Sequence, residues 1–178
     1  MSATIRPDNL RAALDAKLAA ALSQLADLRE AEQPRMTLHL SPREIVAAFL
    51  LYACGVYPIA DNFGKAQAGE LQFNAWYEQW AKGLDAADGA LWRQLRDERG
   101  RQERGQGVEL IEVEISIASD PSAGTRQPLR GSPADFRKKL VRFATYRDRS
   151  ASDVCNAYLQ LARRFVHDFL RDHARFLP

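Results

Sequence analysis

Glu112 and Glu114 stand two residues apart in the stretch GVELIEVEISIAS, and their types and spacing suit a shared divalent metal. On a strand the two carboxylates fall on one face, roughly 7 Å apart along the backbone. Metal-dependent nucleases use such pairs to orient water and polarise a phosphate. Sites of that kind also need an aspartate upstream and a lysine beside the glutamate. Glu114 occupies the lysine's place and no upstream aspartate is clearly positioned, so a metal-dependent nuclease ranks third among three readings.

The other reactive residues are scattered. His167 and His173 lie six apart in one helical stretch and point to different sides, so they cannot chelate together. Cys54 and Cys155 form neither a C-x-x-C pair nor a nucleophile-and-base pair with a histidine. Neither G-x-S-x-G nor G-x-G-x-x-G occurs. No residue is therefore assigned as catalytic, and no cofactor is called for.

Two further groups could bind rather than react. Arg126, Arg130, Arg137, Lys138, Lys139, Arg142 and Arg147 crowd one segment against only Asp135 and Asp148, a charge pattern suited to a phosphate backbone. Phe73, Trp76, Tyr77 and Trp80 recur at i, i+3, i+4 and i+7, one aromatic face that either joins the core or lines a groove for a peptide or flat ligand. Charge is uneven along the chain. Residues 1–125 hold 13 Lys/Arg and 18 Asp/Glu, whereas residues 126–178 hold 12 and 5, for a formal net charge of +2. Such asymmetry suits a polyanion partner or a contact between oppositely charged faces.

The elements that must position these residues follow from periodicity. After Pro7, Leu14, Leu18, Ala21, Leu25 and Leu28 mark a long amphipathic helix. Met36, Leu38 and Leu40 alternate in a short candidate strand. Ser41, Pro42 and Glu44 then announce a helix by cap, first-turn proline and capping-box glutamate. The run from Ile45 to Ala60 is uncharged but contains Gly55 and Pro58 and falls short of the ~20 apolar residues a bilayer requires, so a buried helix is expected. The segment YPIADNFGKAQAGE reads as loop, and the aromatic face and Trp92 each sit on a helix. From Arg99 to Gly107 nothing is apolar, which makes 99–107 the best candidate for a subdomain boundary inside one domain spanning 1–178.

Within the strand, Ile111, Val113, Ile115 and Ile117 share a face expected to lie on helices, and Leu110, Glu112, Glu114 and Ser116 share the wet one. The expected partner is Met36–Leu40, with Thr125–Arg130 as a second candidate; the free edge or the nearby helices would support a homodimer. Ser132 and Pro133 repeat the cap-and-proline signal, so residues 133–149 read as a helix with Phe136, Leu140 and Phe143 inward and the basic residues outside. A final helix carries Val154, Tyr158, Leu161, Phe165 and Phe169.

The expected fold is α+β and predominantly α-helical, about six helices with a small two- or three-stranded antiparallel element. With no apolar leader and no cysteine framework, a cytoplasmic protein without membrane contact is expected. The leading functional reading is a non-catalytic protein-interaction protein, adaptor or structural, acting as a homodimer. The alternative is a nucleic-acid-binding protein using residues 126–149.

Overall fold

The computed structural model describes residues 7–33, 41–117 and 136–174. Helix α1 (Pro7–Ala31) is followed by α2 (Pro42–Ala53), α3 (Val56–Ala68), α4 (Glu70–Lys82) and α5 (Ala86–Glu103). Strands β1 (Leu110–Ile117) and β2 (Phe136–Phe143) precede α6 (Ala151–Asp172). The molecule is thus mainly helical with one two-stranded antiparallel sheet.

Local chemistry explains most boundaries. Glu44 N–H donates to Ser41 Oγ (3.3 Å) while Ser41 N–H donates to Glu44 Oε2 (2.7 Å), a reciprocal cap that starts α2. Asp85 and Ser150 cap α5 and α6 by accepting from Asp88 N–H (2.8 Å) and Asp153 N–H (3.1 Å). Gly105 and Gly107 turn the chain from α5 into β1 at φ of 74° and 71°, where a side chain would be strained.

Helix α6 is the hub. It touches α1, α2, α3, α5 and β2, and it buries Val154, Cys155, Tyr158, Leu159, Ala162, Phe165, Val166 and Phe169. At about 1.5–3 kcal/mol for each large apolar side chain removed from water, this one helix organises much of the core. Its N-terminus receives α1: the buried Glu32 carboxylate accepts from Ser152 N–H (3.2 Å) and from the Ser152 hydroxyl. Arg29 reaches Asn156 Oδ1 (3.1 Å) beside it, so α1 and α6 run antiparallel.

One expectation about the helices is corrected, and two features of their path stand out. The segment 56–68 is helix α3, not loop. Around Gly55 and Pro58 the helical path is interrupted only at Cys54–Gly55, so Pro42–Ala68 is nearly continuous and long and apolar enough to span a membrane by length and composition, with half of that window buried in the fold. The polar stretch from Arg99 is helical through Glu103, and Glu98 just before it is buried.

The largest correction is the basic segment: residues 136–143 form β2, not a helix. FRKKLVRF satisfies both periods, since Phe136, Leu140 and Phe143 fall on one helical face and Val141 and Phe143 alternate on one strand face. The unmet N–H and C=O groups of β1 decide between them. β1 pairs with β2 from Leu110↔Phe143 to Ile117↔Phe136. The expected partner Met36–Leu40, the second candidate Thr125–Arg130 and the cap signal at Ser132–Pro133 all lie outside the described residues.

Candidate interaction surfaces

The ribbon's root is built into the body. Leu110 lies opposite Phe143 and Glu112 opposite Val141, so these four share a face, and Leu110, Val141 and Phe143 are buried. The side expected to be wet is therefore the one that enters the core at the root, while Ile111, Val113 and Leu140 on the other side are half-buried. The reason is β2, which contributes Val141 and Phe143 to the Leu110 face. Arg43, from the first turn of α2, clamps the strand with Nη1 to Val108 O (3.1 Å) and Nη2 to Leu110 O (3.3 Å). Glu98 accepts from Glu109 N–H (3.2 Å), and Arg101 bridges Glu98 (3.8 Å) and Glu109 (2.8 Å).

These bonds reveal which backbone groups face outward. Glu109 O accepts from Ala144 N–H (3.1 Å), so the Glu109 carbonyl and the backbone groups of Ile111 and Val113 aim at β2. Leu110, Glu112, Glu114 and Ser116 alternate with them and direct N–H and C=O away from β2. Arg43 occupies Leu110 O; from Glu112 onward no strand pairs with this edge among the described residues.

The sequence-derived candidates fall out as follows. Glu112 is exposed, and Glu114 is in register with Lys139. Among the described residues no group of three His, Cys, Asp or Glu gathers as a metal site. Arg126 and Arg130 lie outside the described residues. Arg137, Lys138 and Lys139 occupy consecutive positions of β2, opposite Ser116, Ile115 and Glu114. They therefore lie on a strand and not on the helix expected of them. Arg142 is half-buried and donates to Arg147 O, and Arg147 Nε donates to Ala144 O (3.1 Å); both hold the turn after β2.

The aromatic stripe is covered by α6. Phe73 is fully buried and meets Phe169 edge-on (centroids 6.2 Å), Trp76 meets Phe169 at 5.6 Å, and Trp80 meets Phe165 at 5.0 Å. Tyr77 stacks beside Trp80 at 6.2 Å and accepts from Trp92 Nε1 (3.0 Å) and from Arg96. Where the indoles reach the surface, carboxylates of α6 take their N–H groups: Trp76 to Asp172 (3.0 Å) and Trp80 to Asp168 (3.2 Å). The Arg171 guanidinium beside Asp172, with help from Trp76, holds that carboxyl below its ordinary value.

Neither thiol is poised for chemistry. Burial pushes Cys54 up to about 12 and Cys155 well above the ordinary thiol value, and the Cys54 Sγ rests on Leu95 O at 3.5 Å. The residues that sequence reasoning missed are mostly arginines. Arg43, Arg96 and Arg99 each act across 19 to 67 positions of chain, and nothing local signals such reach. Comparison of the chain with protein-family models, curated proteins and solved structures finds no match.

Proposed function

We propose that this protein is a non-catalytic protein-interaction module that accepts an extended segment of a partner on the outer edge of β1. The observation that carries the reading is the outward alternation of backbone groups beginning at Glu112, next to an edge that, among the described residues, Arg43 covers only at its root. Strand addition draws affinity from main-chain hydrogen bonds and specificity from alternate side chains. The exposed Glu112 at that edge favours a strand with Lys or Arg beside it. Pairing with the same edge of a second copy sets carboxylate near carboxylate, so the homodimer expected from sequence is better served by helical faces.

The second reading is nucleic-acid binding, favoured by the three successive cations of β2. Arg142 and Arg147, tied to turn carbonyls, weaken it.

The two separate on one pair of measurements. An extended peptide of alternating lysine and valine, titrated into isotope-labelled protein, is expected to shift the amides of 112–116. Glu112→Pro removes an outward N–H while sparing the ladder, and should weaken that binding by about tenfold or more. Sedimentation with a mixed DNA and RNA pool at low and moderate salt is expected to show no complex. Salt-sensitive co-sedimentation, with no peptide shifts, would sink the strand-addition reading and favour the second.

A further inference from the structure

A second surface, independent of the ribbon, lies between α1 and α6. Because these helices run antiparallel, Arg11 at the start of α1 and Ala174 just past the end of α6 line one groove of about 500 Å³. Its floor is Leu18, Val166 and Leu170, and its rim carries Arg11, Arg163 and His167. On α1 the lining residues Arg11, Asp15 and Leu18 continue, by helical spacing, to Leu22, which is 44% exposed. On α6, Arg163, His167 and Leu170 run along the facing stripe.

The rim is basic, and Arg163 is its unspent cation: Arg11 lies near Asp15, and His167 Nδ1 stands 3.4 Å from Asp168 Oδ1. Asp15 is the single acidic residue in the lining, and it sits 3.9 Å from Arg11 in a largely exposed pair. Arg171, also at the groove, is committed to Asp168 (3.1 Å) and Asp172 (2.7 Å). Arg163 makes no hydrogen bond or ion pair among the described residues and projects into solvent. Arginines near the end of α6 do offset its dipole, but that role does not require the apolar floor between them and α1.

We infer that this groove seats an acidic amphipathic helix of another protein. An apolar channel between two antiparallel helices is the shape that a third helix fills by ridge-into-groove packing. From Arg11 to Leu22 the channel is twelve residues of α1, or about 18 Å at helical rise, the length of roughly three turns. Leucines at i, i+3 or i+4, and i+7 would cover Leu18, Val166, Leu170 and Leu22, while flanking Glu or Asp would meet Arg11, Arg163 and His167. A symmetric contact with a second copy would instead bring one basic rim against the other, so self-association is the poorer match.

The test uses the full chain and two synthetic stapled helices of about 18 residues. They share the leucine positions; one carries Glu at the flanks and the other Lys. Fluorescence anisotropy is expected to show the Glu helix binding at least tenfold more tightly than the Lys helix, with affinity falling as salt rises. Arg163→Glu and Leu22→Lys, both at exposed positions that leave the core intact, should each weaken the Glu helix about tenfold, whereas Glu112→Pro should leave it unchanged. Equal binding of the two helices, no binding of the Glu helix at 100 µM, or binding indifferent to Arg163→Glu and Leu22→Lys would overturn the proposal. So would dodecanoate occupying the groove where neither helix does, since the occupant would then be a small anionic amphiphile. Glu112→Pro keeps the outcome separable from the strand-addition reading.

Discussion

The guanidinium of Arg99 donates to the carbonyl oxygen of Cys54 at 3.0 Å, forty-five residues away in sequence. That carbonyl stands four residues before Pro58, which has no N–H to offer it. Arg99 therefore supplies from α5 the hydrogen bond that the proline removes from the α2–α3 path. Its other side is held by Glu103 at 2.7 Å.

Removing the donor should expose this dependence. Arg99→Ala is expected to cost about 1–2 kcal/mol in urea unfolding, the usual penalty for orphaning a partly buried carbonyl. In a Pro58→Ala background the new N–H can serve Cys54 O, so the same change should cost less. Additive losses in the double-mutant cycle would refute the compensation.

Gly64 is the point where α3 meets α4. A Cβ there would sit 2.1 Å from Phe73 Cδ2, a ring buried under α6. Gly64→Ala should destabilise by about 1–3 kcal/mol, because the ring cannot retreat without opening the aromatic cluster. Thermal unfolding followed by tryptophan fluorescence reads it directly.

Acid should act through Asp172. Its carboxyl is held below the ordinary value of 3.8 by Arg171 and Trp76, so folding favours the charged form. The resulting stabilisation is full above the unfolded value and is lost as pH falls through the lower folded one. Asp172→Asn should therefore be less stable than the parent at pH 6 and approach it in stability as pH falls below the ordinary carboxyl value of 3.8. A gap that persists undiminished into strong acid would contradict this.

Both thiols should be silent in the native protein. Cys54 and Cys155 are fully enclosed and their ionisation is suppressed, so a thiol reagent at pH 8 should modify them at least a hundredfold more slowly than in urea. Rapid native labelling of either would mean the α2–α6 contact opens readily.

Much of the helical framework is legible in sequence because it rests on local rules. Ser41, Pro42 and Glu44 specify the start of α2 within four residues, and they form that cap. The spacing of Val154, Tyr158, Leu161, Phe165 and Phe169 defines the buried face of α6, and all five are buried. Alternation from Ile111 to Ile117 defines β1 as a strand. Phe73, Trp76, Tyr77 and Trp80 were visible as one face, though only the packed fold shows α6 lying against them.

What only the tertiary structure decided involves groups whose partners are remote. The segment from Phe136 to Phe143 carries apolar residues at both helical and strand periods, and the open ladder of β1 selects the strand. That choice also put Val141 and Phe143 beside Leu110 and so determined which face of β1 enters the core. Pro58 and Gly55 read locally as a break, yet Arg99 makes good the missing bond and the chain continues as α3. The edge clamp from Arg43 and the basic rim of the α1–α6 groove have the same origin. Periodicity and caps act over a few residues and leave their mark in the order of the chain. A guanidinium reaching a distant carbonyl, or two helices meeting to form a groove, depends on the folded path and leaves none.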